Sequence, residues 1–192
     1  MMKKNRLEAF SDGVIAIIIT IMVLEMKIPH GDDWAALKPL IPVFLSYVLS
    51  FIYVGLYWNN HHHLWQIVDR VNGSVLWANL HLLFWLSLFP FATGWLGENH
   101  FAMWPTALYG FVLFMAAIAW FILARTLIRL HGKDSPIAEA YGRDWKGKLP
   151  LLIYTSGIIL AFWNTWVSQA LYTLVAALWI IPDRRIEREL NH

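Results

Sequence analysis

The sequence has no cysteine and little charge for its length. Of its 192 residues, 15% are Asp, Glu, Lys or Arg, whereas 58% are hydrophobic. The absence of cysteine excludes disulfides, thiol nucleophiles and thiolate metal sites. Soluble domains carry about 25% charged residues, but residues 39–67 and 71–97 of this chain contain none of the four charged types. A soluble domain could not cover such stretches with polar surface, so the composition predicts an integral membrane protein.

Six apolar segments are candidates for membrane-spanning helices. A spanning helix needs about 20 predominantly apolar residues. The predicted spans cover residues 7–28, 37–60, 73–96, 106–130, 150–164 and 166–181. The last two are short, so they could form either two short helices or one re-entrant hairpin. The predicted fold is therefore all-α, with a single six-helix membrane domain over residues 1–192.

The basic residues are distributed unevenly between the two sides of this predicted topology. Six spans place both termini on one side, where 13 of the 15 Lys and Arg residues then fall. Only Lys27 and Lys38 fall on the other side. Lys and Arg are enriched in cytoplasmic loops, so both termini are predicted to be cytoplasmic.

The first span carries polar residues near its predicted cytoplasmic end. Asp12 follows Ser11 within the helix, where a carboxylate costs a few kcal/mol unless it is paired. Since each helical residue turns by about 100°, Asp12 points away from an apolar stripe through Ile17, Ile21 and Leu24. Donors at a similar depth on the second and third spans are Asn59, Asn60, His61, His62, His63, Trp77, Asn79 and His81. Such a cluster could join helices or relay protons or cations.

The polar motif resembles a known signature. Arg6, Phe10, Ser11 and Asp12, followed by Gly-Val-Ile-Ala-Ile-Ile-Ile-Thr, resemble the signature of prokaryotic relatives of the endolysosomal potassium channel known as transmembrane protein 175. Residues 57–62 resemble the end of that family's second span. Residues 79–84 and 87–91 resemble its third span. Beyond about residue 91 the likeness rests on the number and length of the spans.

The resemblance implies a pore formed by four identical subunits and lined by the first span of each. It places the narrow pore position at Ile17, a hydroxyl that could contact a transient K⁺ at Thr20, and further constriction at Ile21 and Leu24. The implied function is passive conduction of K⁺ by a cation channel of a prokaryotic cell membrane. Its expected partners are membrane lipid, further copies of the chain and potassium ions, without a cofactor.

The same resemblance gives the signature itself a structural role. The residues that would join the first span to the second and third are Arg6, Phe10, Ser11, Asp12, Trp77 and His81. On this interpretation the signature orients the apolar stripe toward the pore and does not itself conduct ions.

Three other functions are compatible with parts of the sequence. A secondary or proton-coupled transporter could use Asp12 and His81, although no inverted repeat or broken-helix pair is visible. The run of residues 61–63 suggests a metal site, but consecutive residues do not share a helix face, and no catalytic motif accompanies them, so an enzyme is not expected. Only the family resemblance excludes a purely structural subunit. Nothing in the sequence indicates a nucleic-acid partner.

Overall fold

The computed structural model describes residues 4–141 and 149–180, and the regular structure in these ranges is helical. The helices are α1 (Lys4–Leu24), α2 (Trp34–Leu37) with a 3₁₀ turn (Lys38–Leu40), α3 (Ile41–Gln66), α4 (Gly73–Ser87), α5 (Phe89–Glu98), α6 (Met103–His131), α7 (Pro136–Tyr141), α8 (Leu149–Leu160) and α9 (Thr165–Ile180). Residues 1–3, the basic stretch 142–148 and residues 181–192, which include the end of the last predicted span, lie outside the described residues.

Four segments of the described chain are long and apolar enough to cross a membrane. They are Lys4–Leu24, Trp34–Gln66, Gly73–Glu98 and Met103–His131, and they correspond to the first four predicted spans. α8 and α9 are also apolar but have only 12 and 16 residues. The expected all-helical membrane fold is confirmed.

The first helix ends earlier than expected. The sequence predicts a span to residue 28, but α1 ends at Leu24. The chain then carries Glu25 and Lys27, and Lys27 Nζ donates to Glu98 Oε1 at 2.7 Å. This hydrogen bond raises the pKa of Lys27. Because both partners are largely exposed, the ion pair contributes little free energy, but it joins the segment that follows α1 to the end of α5.

The third apolar segment is interrupted at Leu88. The sequence predicts one continuous span over residues 73–96, but α4 ends at Ser87 and α5 begins at Phe89. Pro90 has no N–H, and its ring would clash with the carbonyl four residues earlier in a continuous helix. Leu88 N instead donates to the Trp85 carbonyl at 3.3 Å. The helix therefore breaks although the hydrophobic pattern continues through it.

The helix contacts form two groups, one around α1 and one around α6, and α4 and α5 belong to both. α1 lies against α3, α4 and α5, whereas α6 lies against α4, α5, α8 and α9. In the second group the fully buried ring of Tyr172 on α9 is seated on Gly110 of α6 and Gly157 of α8, where a Cβ atom would overlap it. α6, α8 and α9 therefore approach one another closely. α6 in turn packs against α4 and α5, which contact α1.

Candidate pore-lining helix and its anchoring cluster

α1 has one buried face and one exposed face. The buried residues recur at helical spacing and are Leu7, Ser11, Ile15, Ile18 and Met22. The exposed stripe includes Ile17, Ile21 and Leu24, whose exposed fractions are 58%, 39% and 79%. Such a stripe cannot contact water in a folded monomer without a large free-energy cost. We therefore expect the stripe to face lipid, to contact another subunit or to form the wall of a narrow pore.

Thr20 lies at the edge of the exposed stripe. Its hydroxyl donates to the Ile17 carbonyl at 2.9 Å, which leaves oxygen lone pairs for another partner. The structure therefore brings the four sequence-predicted pore residues, Ile17, Thr20, Ile21 and Leu24, to one exposed side of α1.

A buried polar cluster joins α1 to α3 and α4 on the opposite side. The Ser11 hydroxyl donates to the Leu7 carbonyl at 2.8 Å and accepts from Asn79 Nδ2 at 2.9 Å. Asn79 Oδ1 lies 2.8 Å from His61 Nε2. Trp65 Nε1 lies 3.1 Å from His61 Nδ1 and 2.9 Å from His61 Nε2. We call Ser11, Asn79, His61 and Trp65 the anchoring cluster, and all four side chains are essentially inaccessible to solvent.

The donors and acceptors of the anchoring cluster determine one another. Ser11 uses its only proton on the Leu7 carbonyl, so it can only accept from the amide of Asn79. The Asn79 oxygen must then face His61, which makes His61 Nε2 the donor. Both ring nitrogens of His61 lie within hydrogen-bond distance of the Trp65 indole, but a protonated Nε2 cannot accept, so the indole donates to Nδ1. A neutral histidine with its proton on Nε2 thus satisfies every member, which is the condition for such a network to stabilise a protein interior.

Asp12 contacts α3 at a more exposed position. Its Oδ1 accepts from Trp58 Nε1 at 3.1 Å. The Trp58 ring stacks on His62, with ring centroids 5.9 Å apart and planes at 15°. His62 Nδ1 lies 3.3 Å from Glu8 Oε1 on α1. α1 and α3 are therefore joined by a second, partly exposed set of polar contacts.

The partner set expected for Asp12 is corrected by this arrangement. The sequence suggests that Asp12 binds donors of both the second and the third span, but in the described chain its hydrogen bond goes to Trp58 of α3. Ser11 makes the contact with α4 through Asn79. The reason is the turn of about 100° between consecutive helical residues, which directs neighbouring side chains at different helices.

Four sequence-predicted motif residues lie outside the anchoring cluster. Arg6 is exposed, and the exposed fractions of Phe10 and Trp77 are 53% and 75%. His81 Nε2 accepts from Trp85 Nε1, a neighbour on its own helix, at 3.0 Å. In the part of the chain that the structure describes, these four residues make no hydrogen bond to Ser11 or Asp12.

Sequence reasoning missed two tryptophans of this region. Trp58 and Trp65 fit the general pattern of interfacial anchors, yet their indole N–H groups bind Asp12 and His61. Each tryptophan lies four residues from a histidine of α3, and residues at this spacing are neighbours on a helix. That spacing is the signal that would have identified them.

The histidine run does not form a metal site. His61 faces Asn79, whereas His62 faces Glu8 and Gln66. Among the residues described by the structure, no three His, Asp or Glu side chains converge where a metal ion could bind.

Comparison with known proteins agrees with this geometry. A profile of the family described as endosomal/lysosomal potassium channel TMEM175 matches residues 6–90, which include α1 and the anchoring cluster. A protein of Chryseobacterium sp. named as a potassium channel is 57% identical over 190 residues, which cover 99% of each chain. The chain belongs to the TMEM175 family. The resemblance seen in the α1 motif is thereby confirmed.

Two further relatives agree with TMEM175 membership. A protein of Streptomyces collinus, also named as a potassium channel, is 36% identical over 192 residues and matches 92% of this chain and 91% of its own. The crystal structure of a lysosomal potassium-selective channel TMEM175 homologue from Chamaesiphon minutus superimposes with a TM-score of 0.79 at 25% identity, covering 93% of this chain and 96% of that one. The chain is therefore a membrane ion-channel protein and not an enzyme, and the family indicates no cofactor.

Proposed function

We propose that the chain is one subunit of a potassium channel whose pore is lined by the exposed stripe of α1. The observation that carries this proposal is the division of α1 into two faces. Its buried face is fixed on α3, α4 and α5, whereas Ile17, Ile21 and Leu24 are left exposed. The relatives from Chryseobacterium and Streptomyces are named potassium channels, which supports K⁺ as the permeant ion.

A single α1 cannot enclose a pore, so the proposed channel is a homotetramer with α1 of each subunit at the axis. α8 and α9 complete six membrane helices per subunit. The two ends of the described helices differ in their number of Lys and Arg residues. Two lie at one end, Lys27 and Lys38, and six lie at the other: Lys4, Arg6, Arg70, Arg125, Arg129 and Lys133. By the positive-inside rule, the arginine end and both termini face the cytoplasm of a bacterial plasma membrane.

Four copies of Ile17 form the neck of this pore. An apolar constriction closes by excluding water, which removes the hydration that an ion requires. Ile21 and Leu24 extend the apolar wall by one and two turns toward the outer end. Four Thr20 hydroxyls, one from each subunit, offer oxygen atoms to a partly dehydrated K⁺.

The anchoring cluster acts in this mechanism by fixing the rotation of α1. A rotation of about 100°, one residue's turn, would carry the stripe away from the axis and break the hydrogen bond between Ser11 and Asn79. We propose that Arg6, Phe10, Trp77 and His81 pack around this motif in the assembled channel. Arg6, Phe10 and Trp77 are exposed in the single subunit and His81 is half-buried, which leaves surface on each of them for contacts between subunits.

Reconstitution into planar bilayers tests the proposed function. With K⁺ on one side and Na⁺ on the other, we expect single-channel current steps and a reversal potential displaced from zero in the direction of K⁺ selectivity. Transporters turn over too slowly to give such steps, so flux without them would favour a transporter. A reversal potential of zero would show that the pore does not select K⁺, and one that follows an imposed proton gradient would identify protons as the permeant ion.

The transporter alternative is tested by Asp12→Asn in the same bilayers. Asparagine keeps an oxygen that can accept from Trp58 but cannot titrate, so a structural role predicts assembled channels with unchanged K⁺ selectivity. A proton-coupled transporter would lose its coupling in this variant. The third span is interrupted at Leu88, whereas no broken-helix pair is visible in the sequence, and Pro90 accounts for this interruption without a substrate site.

A further inference from the structure

A shallow groove at the arginine-bearing end of α6 combines a cationic part with an apolar part. It has a volume of about 320 Å³ and is lined by Phe121, Ile122, Arg125, Thr126 and Arg129. We infer that this groove binds the phosphate headgroup of an anionic phospholipid. The inference requires a membrane-inserted chain, and it rests on the proposed function only for the assignment of this end to the cytoplasmic leaflet.

The two arginines are placed to bind one phosphate together. Arg125 and Arg129 are four residues apart, so they are neighbours on one side of α6, and both are exposed. Arg125 Cζ lies 5.0 Å from the centre of the Phe121 ring, which holds this guanidinium beside the apolar part of the groove. Guanidinium groups present paired N–H donors that match the oxygens of a phosphate.

The positive charge of the groove is not neutralised within the described chain. No carboxylate in residues 4–141 and 149–180 lies within 4.0 Å of either guanidinium. The carboxyl end of α6 contributes only about half a negative charge. An anion is therefore the complementary ligand.

The neighbouring histidine of α6 is not among the residues that line the groove. His131 Nε2 accepts from the backbone N–H groups of Asp69 and Arg70, at 3.3 and 3.2 Å. Its Nδ1 then donates to the Leu127 carbonyl at 3.0 Å. The positively charged side chains that line the groove are therefore Arg125 and Arg129.

The apolar part of the groove selects a lipid over a soluble anion. Phe121 and Ile122 lie one turn toward the middle of the spanning segment Met103–His131, and 36% and 40% of their surfaces are exposed. The Thr126 hydroxyl is already bonded to the Ile122 carbonyl at 2.8 Å, which leaves this wall without a free donor. An acyl chain can follow the apolar wall while its phosphate reaches the arginines at the interface, where anionic lipids attract basic residues.

Lipid retention provides the test. The protein is reconstituted with phosphatidylcholine and phosphatidylglycerol, extracted into mild detergent, and analysed by native mass spectrometry. We expect the wild-type protein to retain phosphatidylglycerol and the Arg125→Gln/Arg129→Gln variant to bind it about tenfold more weakly or worse, since two charge-assisted contacts are lost. Arg70→Gln/Lys133→Gln, which removes two charges from the same end but outside the groove, should retain the lipid like the wild type.

Three results would overturn the inference. The first is equal retention by the groove variant and the wild type. The second is displacement of the lipid by inorganic phosphate, which would identify a site for a soluble anion. The third is a disulfide between subunits through Phe121→Cys, which would show that a second copy covers the groove. If the double variant does not fold, Arg129→Gln alone should show the same order with a smaller loss. The readout involves no current, so it can fail while the channel function holds.

Discussion

Replacing Ile17 with asparagine should give a channel that leaks at rest and selects poorly for K⁺. Four amides at the narrowest point would hydrate a neck that isoleucine keeps dry, which removes the barrier to ion entry. Burying one isoleucine side chain is worth about 1.5–3 kcal/mol, and a barrier lowered by only about 1.4 kcal/mol raises a rate about tenfold. We therefore expect resting current in planar bilayers to rise at least about tenfold, and the reversal potential with opposed K⁺ and Na⁺ to move toward zero.

Val23→Asn is the matched control for this change. Val23 is also on α1 and 42% exposed, but it lies more than a quarter turn away from the stripe through Ile17 and Leu24. The same polar substitution there should leave current and selectivity unchanged. Wild-type currents from Ile17→Asn channels of normal assembly, together with a leak in Val23→Asn, would move the pore to a different face of α1.

Replacing Asn79 with leucine should be the most destabilising single change near α1. It leaves the Nε2 proton of His61 buried without an acceptor, which costs about 1–3 kcal/mol per subunit. A double-mutant cycle with Ser11→Ala should give a coupling energy of about 0.5–3 kcal/mol, because the two side chains share a hydrogen bond. Thermal unfolding of the purified protein, followed by tryptophan fluorescence and size-exclusion chromatography, measures both quantities.

Asn99→Leu provides the control for the asparagine change. The Asn99 amide donates to the carbonyl of Trp95 at 2.9 Å from an exposed position, so its loss leaves no buried group without a partner. We expect little change in unfolding temperature for this variant. Additive effects of Ser11→Ala and Asn79→Leu, or equal destabilisation by Asn99→Leu, would contradict the role of the anchoring cluster.

The sequence predicted much of the first half of the fold because the free-energy cost of polar groups in lipid restricts the possibilities. Long uncharged stretches indicate membrane spans. Polar side chains at one depth within neighbouring spans, such as Ser11 and Asn79, require hydrogen-bond partners there. Ser11, Asn79 and His61 could therefore be placed at a shared level before the structure was known. Their hydrogen bonds in the structure agree with that placement.

The partners of Asp12 could not be predicted because they depend on the rotation of one helix against another. Helical phase shows which residues share a face, but not which neighbour that face meets. Asp12 consequently turned out to contact Trp58, and His81 turned out to contact Trp85. The break at Leu88 was missed for a different reason, since its only sign is one proline in a continuous apolar run.

The function of the exposed stripe is the least predictable feature from physical principles alone. An isoleucine that faces lipid and one that lines an apolar pore have the same hydropathy and the same exposure in a single subunit. Ile17 and Leu24 are thus distinguished from other exposed apolar residues such as Phe44, whose exposed fraction is 53%, by the family motif and not by their chemistry.

Cysteine accessibility tests the pore assignment most directly, because the chain has no cysteine of its own. Single cysteines at Ile17, Ile21 and Leu24 would be exposed to a positively charged, membrane-impermeant methanethiosulfonate during current recording, with Ile18→Cys and Met22→Cys as controls on the buried face. Irreversible block at the three stripe positions, fastest at Leu24, and unchanged current in both controls is the predicted result. Unchanged current at all three stripe positions in channels that conduct normally would contradict a pore lined by this face of α1.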